Sequence, residues 1–261
     1  MAHRPIISLL LTGITLVCGV FHGLRPGLFF YDGREKENLQ IGYSINERSQ
    51  VSIYIFCDGH LALKDPITRN LTRIGMDYFQ VVGLKGEPQS WYAEIEENCP
   101  RYKLAIPTGL NFITLYPTNV IFISFFMKMK TLKMSYDKLY AGVYEHRDRA
   151  DGFAITANIT VATTSSSSSL SVDFRVECLR DGQTHNVIPF GPFPLKAGRN
   201  GDPSTVSYPD GEVMKIYDDI HAKCANIGGP HPGDLLDVGA GTPNTVYVKV
   251  ASASLPLSRI A

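Results

Sequence analysis

The chain has 261 residues, long enough for one large domain or two small ones with a hydrophobic core of their own. Its 25 Lys and Arg balance 25 Asp and Glu, which excludes a strongly basic protein that binds nucleic acid or anionic membrane through net charge alone. With 44% apolar residues, 23 Gly and 16 Pro, the composition is that of a folded, turn-rich protein.

The N-terminus has the pattern of a secretory signal peptide. A short basic lead that contains Arg4 precedes the apolar run 6–20, and Gly19 and Gly23 supply small residues at its exit. The run is too short for a spanning helix; the alternative is a short buried helix. We expect residues 1–23 to be removed, residues 24–49 to be a leader into the fold, and the mature protein to be secreted.

Cysteine and asparagine patterns agree with an oxidising, extracellular route. The four cysteines that remain after cleavage favour two disulfides over a metal site, because no CxxC or mixed His/Cys cluster is present. They are Cys57, Cys99, Cys178 and Cys224. Three pairings are possible, and the sequence alone does not choose among them. Asn70 and Asn158 each begin an Asn-x-Thr triplet, the acceptor pattern for N-glycosylation.

The first half of the chain predicts strands around one helix. Residues 51–57 are rich in β-branched and aromatic side chains and precede Asp58-Gly59, which predicts a strand and a turn. The apolar spacing over 65–79 predicts an amphipathic helix. Further strands are predicted at 91–97, 102–106 and 138–144. The nearly uncharged run 110–127 favours two buried strands with a turn, and the alternatives are a membrane segment, an insertion or a gene-model artefact over 110–130.

The second half is β-rich and rich in turns. Residues 154–161 and 170–178 predict strands on either side of the serine tract 165–169, a flexible linker or a hairpin tip. A short helix is predicted at 213–224 and a last strand at 245–253. Gly239-Ala240-Gly241 lacks the flanking pattern of a phosphate loop and is interpreted as a turn. We see no fixed-period repeat.

Two stretches resemble the ribonuclease-like secreted effectors of powdery mildew fungi, which have the fold of the guanyl-specific fungal ribonucleases. The first is Tyr54-Ile55-Phe56-Cys57-Asp58-Gly59 followed by the predicted helix 65–79. The second is Asp137 to His146, with Gly142-Val143 in a strand that leads to the histidine. The resemblance covers about residues 50–180.

The resemblance implies an α+β fold in which one helix packs on a curved antiparallel sheet. A ribonuclease-like domain with an insertion would span 50–180, and a β-rich, loop-rich C-terminal extension of unknown role would span 181–261. It also implies that Cys57 pairs with Cys178, which leaves Cys99 to pair with Cys224 or leaves both free.

The resemblance also implies candidate residues for RNA cleavage, which needs a base, an acid and a cation beside the phosphate. His146 would be the acid, Glu94 the base and Lys138 the cation, although lysine lacks the two-point grip of arginine. In an alternative alignment Leu104 stands at the position of the base, and no base is then present. Tyr140, Tyr144 and Lys138 are the RNA-binding candidates, because aromatic rings stack on bases and lysines contact phosphates.

We expect a secreted effector that has lost catalysis and binds a host protein or host RNA as a monomer, with no cofactor, metal or membrane partner. Its final location is extracellular or inside host cells. One alternative is an active, guanyl-type secreted endoribonuclease. The other is a structural or adhesive extracellular β protein without ribonuclease kinship.

Overall fold

A computed structural model describes residues 25–63, 67–75, 77–82, 88–102, 109–116, 119–125, 128–148, 152–163, 168–180, 183–224, 230–250 and 253–261. The predicted signal peptide 1–23, residues 103–106 of one predicted strand and serines 165–167 lie outside them. No helix in this part of the chain is long and apolar enough to cross a membrane.

Residues 27–135 form a closed antiparallel β-barrel in which chain neighbours are also sheet neighbours, and β9 returns to β1. Its strands are β1 (Gly27–Gly33), β2 (Leu39–Ile45), β3 (Gln50–Cys57), β5 (Ile67–Arg73), β6 (Tyr78–Val82), β7 (Phe112–Tyr116), β8 (Val120–Phe125) and β9 (Lys128–Ser135), with the short β4 (His60–Leu61) paired to β3 outside the closed ring. Helix α1 (Arg34–Glu37) links β1 to β2, and helix α2 (Pro88–Asn98) lies between β6 and β7.

Residues 142–259 form a second closed antiparallel barrel of eight strands, again in simple up-and-down order. Its strands are β10 (Gly142–Asp148), β11 (Phe153–Thr163), β12 (Ser168–Arg180), β13 (Gln183–Lys196), β14 (Ser204–Val206), β15 (Asp237–Thr242), β16 (Thr245–Val250) and β17 (Ala253–Arg259). Helix α3 (Glu212–Lys223) lies between β14 and β15.

Alternating side chains fill both barrels. In β3, for example, Val51, Ile53, Ile55 and Cys57 are buried and the residues between them are partly exposed. Each barrel closes around its own apolar core, because successive residues of a strand point to opposite faces of the sheet.

The two barrels repeat one structural unit. In each, the helix follows the fifth barrel strand, and a disulfide joins the third strand to the residue just after the helix. These disulfides are Cys57–Cys99 and Cys178–Cys224. Both helices carry the pattern Tyr-x-x-Ile-x-x-x-Cys, and in both the three side chains are buried. The chain therefore contains a repeated unit that the search for a fixed period missed, because loops of different length separate the matching strands.

The repeat defines pairs of equivalent positions. β1 and β10 both begin with a glycine at positive φ, Gly27 and Gly142. The fourth residue of β1 and of β10 is followed, across the next two strands of its sheet, by the residues that pair with it in register. These sets are Phe30–Gly42–Tyr54 in the first barrel and Glu145–Thr156–Arg175 in the second. In the other strands, a position of the first barrel is equivalent to the position of the second barrel that lies the same number of residues from the cysteine or from the strand end.

One end of the first barrel packs against strands β15 and β16 of the second. The Tyr247 ring joins the core of the first barrel, and its hydroxyl donates to the Pro26 carbonyl at 2.9 Å. The Tyr136 ring, on the connection between the barrels, meets Tyr247 edge-on and lies against Gly239. The two barrels are thus joined by a packed, partly aromatic interface.

The expected fold of one helix on a curved sheet is wrong, since the structure consists of two closed β-barrels. The domain boundaries expected from the sequence differ from the boundaries of the two barrels. The segment 24–49 contains β1 and β2, the segment 50–180 contributes strands to both barrels, and the segment 181–261 completes the second barrel.

Two element predictions are also wrong. The predicted helix 65–79 is the hairpin β5–β6, in which Leu71 points into the barrel and Tyr78 points outward. The predicted strand 91–97 belongs to helix α2, whose buried Tyr92, Ile95 and Cys99 follow helical spacings of three and four.

Several local predictions are confirmed. Residues 51–57 are a strand, the run 110–127 contains two strands, residues 154–161 and 170–178 lie in paired strands, and residues 213–223 are helical. The predicted strand 138–144 is shifted, since β10 begins at Gly142. The strand at 245 is not the last, because β17 follows it.

The disulfide count is confirmed, but the pairing implied by the resemblance is wrong. Cys57 bonds to Cys99 and Cys178 bonds to Cys224, so each disulfide stays within one barrel. Cys57 and Cys178 occupy the same position in successive copies of the unit, on different sheets.

Candidate functional site on the outer face of the first barrel

The structure does not gather the residues expected to cleave RNA. Glu94 lies on helix α2 in the first barrel, whereas His146 lies on β10 in the second. The His146 Nδ1 is 3.2 Å from the Pro256 carbonyl oxygen, and its ring packs near Phe153. Lys138 is exposed on the connection between the barrels. The three residues belong to three separate parts of the molecule.

The predicted RNA-binding tyrosines differ in exposure. Tyr144 is fully buried inside the second barrel, and its hydroxyl lies 3.1 Å from the Tyr140 carbonyl oxygen. Burial raises the pKa of Tyr144. Its ring therefore has no open face on which a base could stack. Tyr140 is 40% exposed.

The predicted glycosylation acceptors lie at outward positions of strands. Asn70 on β5 is exposed, and Asn158 on β11 is half-buried opposite Asp173 of β12. Their glycosylation stays a prediction. In the described part of the chain, no three His, Cys, Asp or Glu side chains come together in a group that could hold a metal ion.

An aromatic surface lies on the outside of β1, β2 and β3. Phe30 and Tyr54 flank Gly42 on the middle strand, and a Cβ at Gly42 would lie 3.5 Å from Phe30 and 3.6 Å from Tyr54. Leu28 is 38% exposed and also approaches Gly42, while Phe56 is half-buried one step further along β3. We call Leu28, Phe30, Gly42, Tyr54 and Phe56 the aromatic face.

The outward residues next to the aromatic face on β2, β3 and β5 are polar but uncharged, whereas β9 places the exposed Lys133 directly opposite Phe30. The other outward residues of β2, β3 and β5 carry only hydroxyl or amide groups; they are Gln40, Ser44, Gln50, Ser52, Thr68, Asn70 and Thr72. Ser52 and Thr68 share a hydrogen bond of 2.8 Å across the strands. Further charges lie at the end of β1, where Arg34 pairs with Asp32.

The equivalent surface of the second barrel is an ionic network. Arg147 binds both Glu145 and Glu177 at 2.9 Å, Arg175 binds Glu177 at 2.8 Å, and the Thr184 hydroxyl donates to Glu177 at 2.8 Å. Partial burial acts to raise the pKa of Glu177, but these hydrogen bonds and charges outweigh it and hold that pKa below its ordinary value.

The two barrels also differ at one core position. Lys130 points into the first barrel, is 7% exposed, and binds Glu37 and the Tyr31 hydroxyl. The Tyr102 hydroxyl donates to the Glu37 carbonyl. The equivalent third residue of the eighth strand in the second barrel is the buried Leu255.

A small apolar cavity lies beneath α3 at the end of the second barrel. We call it the α3 pocket; its lining consists of Phe153, Ile155, Val176, Ile220, Pro230, Asp234, Leu235 and Val250. Asp234 is fully buried, and its Oδ2 accepts the His231 backbone N–H at 2.8 Å.

No family model matches the chain, and no curated protein matches it. The two barrels are themselves a pair of related structures, and the differences between them bear on function.

Sequence reasoning missed the aromatic face and the α3 pocket. The alternation in 51–57 already placed Tyr54 and Phe56 on the face opposite Ile53 and Ile55. The partners Leu28, Phe30 and Gly42 required the strand register, which the sequence pattern does not contain.

Proposed function

We propose that the protein is a secreted, non-catalytic binding protein and that the aromatic face is its binding surface. The observation that carries this proposal is the replacement, on one repeated backbone, of Glu145 and Arg175 by Phe30 and Tyr54. The barrel closes with either set, so folding does not require aromatic side chains at these positions. Phe30 and Tyr54 are partly exposed, and apolar side chains that reach the surface without being needed by the fold are typical of interaction sites.

The chemistry around the aromatic face fits a neutral polysaccharide. Aromatic rings stack against the C–H faces of sugar rings, and hydroxyl and amide groups exchange hydrogen bonds with sugar hydroxyls. Ser44, Ser52, Thr68 and Gln40 supply such groups without charge. Phe30 and Tyr54 lie two strands apart, about 10 Å, which favours a ligand longer than one sugar unit.

The expected extracellular location of the protein supports a polysaccharide as its ligand. The N-terminal pattern predicts export, and two disulfides are consistent with an oxidising compartment. The proposal keeps the adhesive alternative of the sequence analysis in place of the ribonuclease-like effector, because the fold expected of that family is not found.

Binding of the mature, disulfide-bonded protein to insoluble β-glucan, cellulose and chitin tests the proposal. We expect Phe30→Ser and Tyr54→Ser each to weaken binding about tenfold while the thermal midpoint stays close to that of the wild type. The matched control is Arg175→Ser, which truncates the position equivalent to Tyr54 in the second barrel and should leave binding unchanged.

Two results would overturn the proposal. The first is that the wild type binds none of these polysaccharides, or that both serine variants bind like the wild type. The second is binding to single-stranded RNA that weakens steeply with salt and is lost in the same variants, since Lys133 is paired with Phe30 across the strands. That result would assign the aromatic face to RNA.

A further inference from the structure

The contact between the two barrels shows how one copy of the repeated unit binds the next. One end of the first barrel covers the outer face of β15 and β16, where Tyr247 and Gly239 lie. Because both barrels have the same strand order, the first barrel has an equivalent outer face and the second barrel has an equivalent end. We propose that these two surfaces bind each other between copies of the chain, so that the second barrel of one copy docks on the first barrel of another.

The strand pairs identify the equivalent face of the first barrel. Tyr247 lies three residues before the end of β16, and Phe122 lies three residues before the end of β8. Gly239 is paired with Tyr247, and Thr114 is paired with Phe122. The first barrel covers Tyr247, which is 2% exposed, whereas Phe122 is partly exposed. The same outward position therefore holds an aromatic ring in both barrels.

Further apolar side chains lie beside Phe122 on the outside of the first barrel. Tyr78 and Val82 of β6 are 40% and 44% exposed, and the Tyr78 ring stacks on the Phe112 ring at a centroid distance of 5.6 Å. We call Tyr78, Val82, Phe112 and Phe122 the β6–β8 face. In the second barrel Asp237 occupies the position of Phe112, so folding does not require an aromatic ring there. An apolar surface of this kind is typical of an interaction site.

The end of the second barrel has apolar side chains at positions that the first barrel uses in the internal contact. Arg25 lies two residues before Gly27, is 4% exposed and interacts electrostatically with Tyr247. Its equivalent Tyr140 lies two residues before Gly142 and is 40% exposed. An aromatic ring thus replaces a guanidinium group at the edge of this end.

A second position of the same end changes from polar to apolar. Ser135 contacts the second barrel, since a Cβ added at Gly201 would overlap its hydroxyl. The equivalent of Ser135 is Ile260, because each lies five residues after the matching core position of its strand, and Ile260 is 59% exposed. Thr114 at the position of Gly239 holds a docked partner further from the sheet, and the longer Ile260 side chain suits this larger separation. We call Tyr140 and Ile260 the docking end.

The two surfaces lie on different barrels, so a bound copy leaves one β6–β8 face and one docking end open. Such a contact is heterologous, and it adds copies head to tail into chains or closed rings. It does not require that either surface bind a copy of itself.

Sedimentation velocity of the mature, disulfide-bonded protein at increasing concentration tests the inference. We expect the wild type to form dimers and larger assemblies. Phe122→Arg blocks the β6–β8 face and Ile260→Arg blocks the docking end, so each should weaken association at least about tenfold. A mixture of the two variants should form dimers that grow no further, because each variant keeps the surface that the other has lost. Tyr78→Arg replaces Phe122→Arg if that variant does not fold.

The matched control is Val187→Arg, at a valine that is 41% exposed on β13 and belongs to neither surface. It should associate like the wild type. A wild type that stays monomeric, as expected from the sequence, would overturn the inference. So would association that either blocking variant retains, or a mixture that stays monomeric. Polysaccharide binding by Phe30 and Tyr54 is a separate measurement, so the two proposals fail independently.

Discussion

Lys130 occupies a core position that the second barrel fills with Leu255. A buried ammonium group is unfavourable unless it is paired, and Lys130 is paired with Glu37 and the Tyr31 hydroxyl. Burial acts to lower the pKa of Lys130, but the hydrogen bonds to Glu37 and Tyr31 outweigh it and raise that pKa. The hydrogen bond from Lys130 lowers the pKa of Glu37. Both shifts favour the charged forms, so the cluster is held as an ion pair.

Lys130→Leu tests this pair. The folded-state pKa of Glu37 lies below its ordinary value of 4.5, so the pair contributes stability above that pH and the contribution is lost as pH falls through the folded-state pKa. We expect the variant to be less stable than the wild type at neutral pH, because removing only one partner leaves the partly buried Glu37 carboxylate without its ammonium group. We also expect it to lose less stability than the wild type on acidification.

Urea unfolding between neutral pH and pH 3 measures both effects. The control is Lys133→Leu, at an exposed position three residues further along β9. A Lys130→Leu variant that is as sensitive to acid as the wild type would show that the pair does not set this pH dependence.

At the scale of elements, each helix is held to its barrel in the same way. The buried Tyr, Ile and Cys of the shared helical pattern face the core, and the disulfide ties the end of the helix to the third strand. The loops closed by the two disulfides span 42 and 46 residues, so their effects on the unfolded chain are similar.

Replacing Cys178 and Cys224 by alanine should destabilise the second barrel by about 4 kcal/mol on chain-entropy grounds. Because this disulfide lies within one barrel, amide hydrogen exchange should accelerate in β10 to β17 more than in β1 to β9. The matched variant replaces Cys57 and Cys99 and should give the reverse pattern. If either double replacement accelerated amide hydrogen exchange equally in both barrels, this result would contradict the expectation that each disulfide stabilises mainly its own barrel.

Local sequence patterns predicted strands and helices correctly where a single periodicity was clear. The β-branched run 51–57 and the helix at 213–223 were found, because alternation or helical spacing was regular there. The prediction of a helix over 65–79 is wrong, because residues four apart in the sequence share a face in a strand as well as in a helix. Length and spacing alone do not separate these two possibilities.

Two glycines determine how closely the two barrels approach each other. The sequence pattern predicts a turn at Gly239, but this residue lies in strand β15, where an added Cβ would overlap the Tyr136 ring. Gly241, two residues on, faces the Pro26 carbonyl and Tyr247 in the same way. Both glycines allow close approach of the first barrel to the second.

Gly239→Ala should therefore destabilise the protein by about 1 to 3 kcal/mol through overpacking against Tyr136. Gly42→Ala is the matched control, since its Cβ would meet its neighbours at ordinary contact distances of 3.5 Å or more. Chemical denaturation of both variants measures the difference. An unchanged free energy of unfolding in Gly239→Ala would mean that the interface adjusts without loss.

The α+β fold expected from the sequence is wrong, whereas sequence patterns were enough to predict the local elements with regular periodicity, the number of disulfides and the β-rich character of the second half of the chain. These properties depend on residues close together along the chain. Three properties come from the tertiary structure alone: the pairing of the cysteines, the closure of the strands into two copies of one unit, and the shared surface of Phe30, Gly42 and Tyr54. Strand register and barrel closure depend on contacts between distant residues, and an alternating pattern shows which face a side chain takes but not which strand lies beside it.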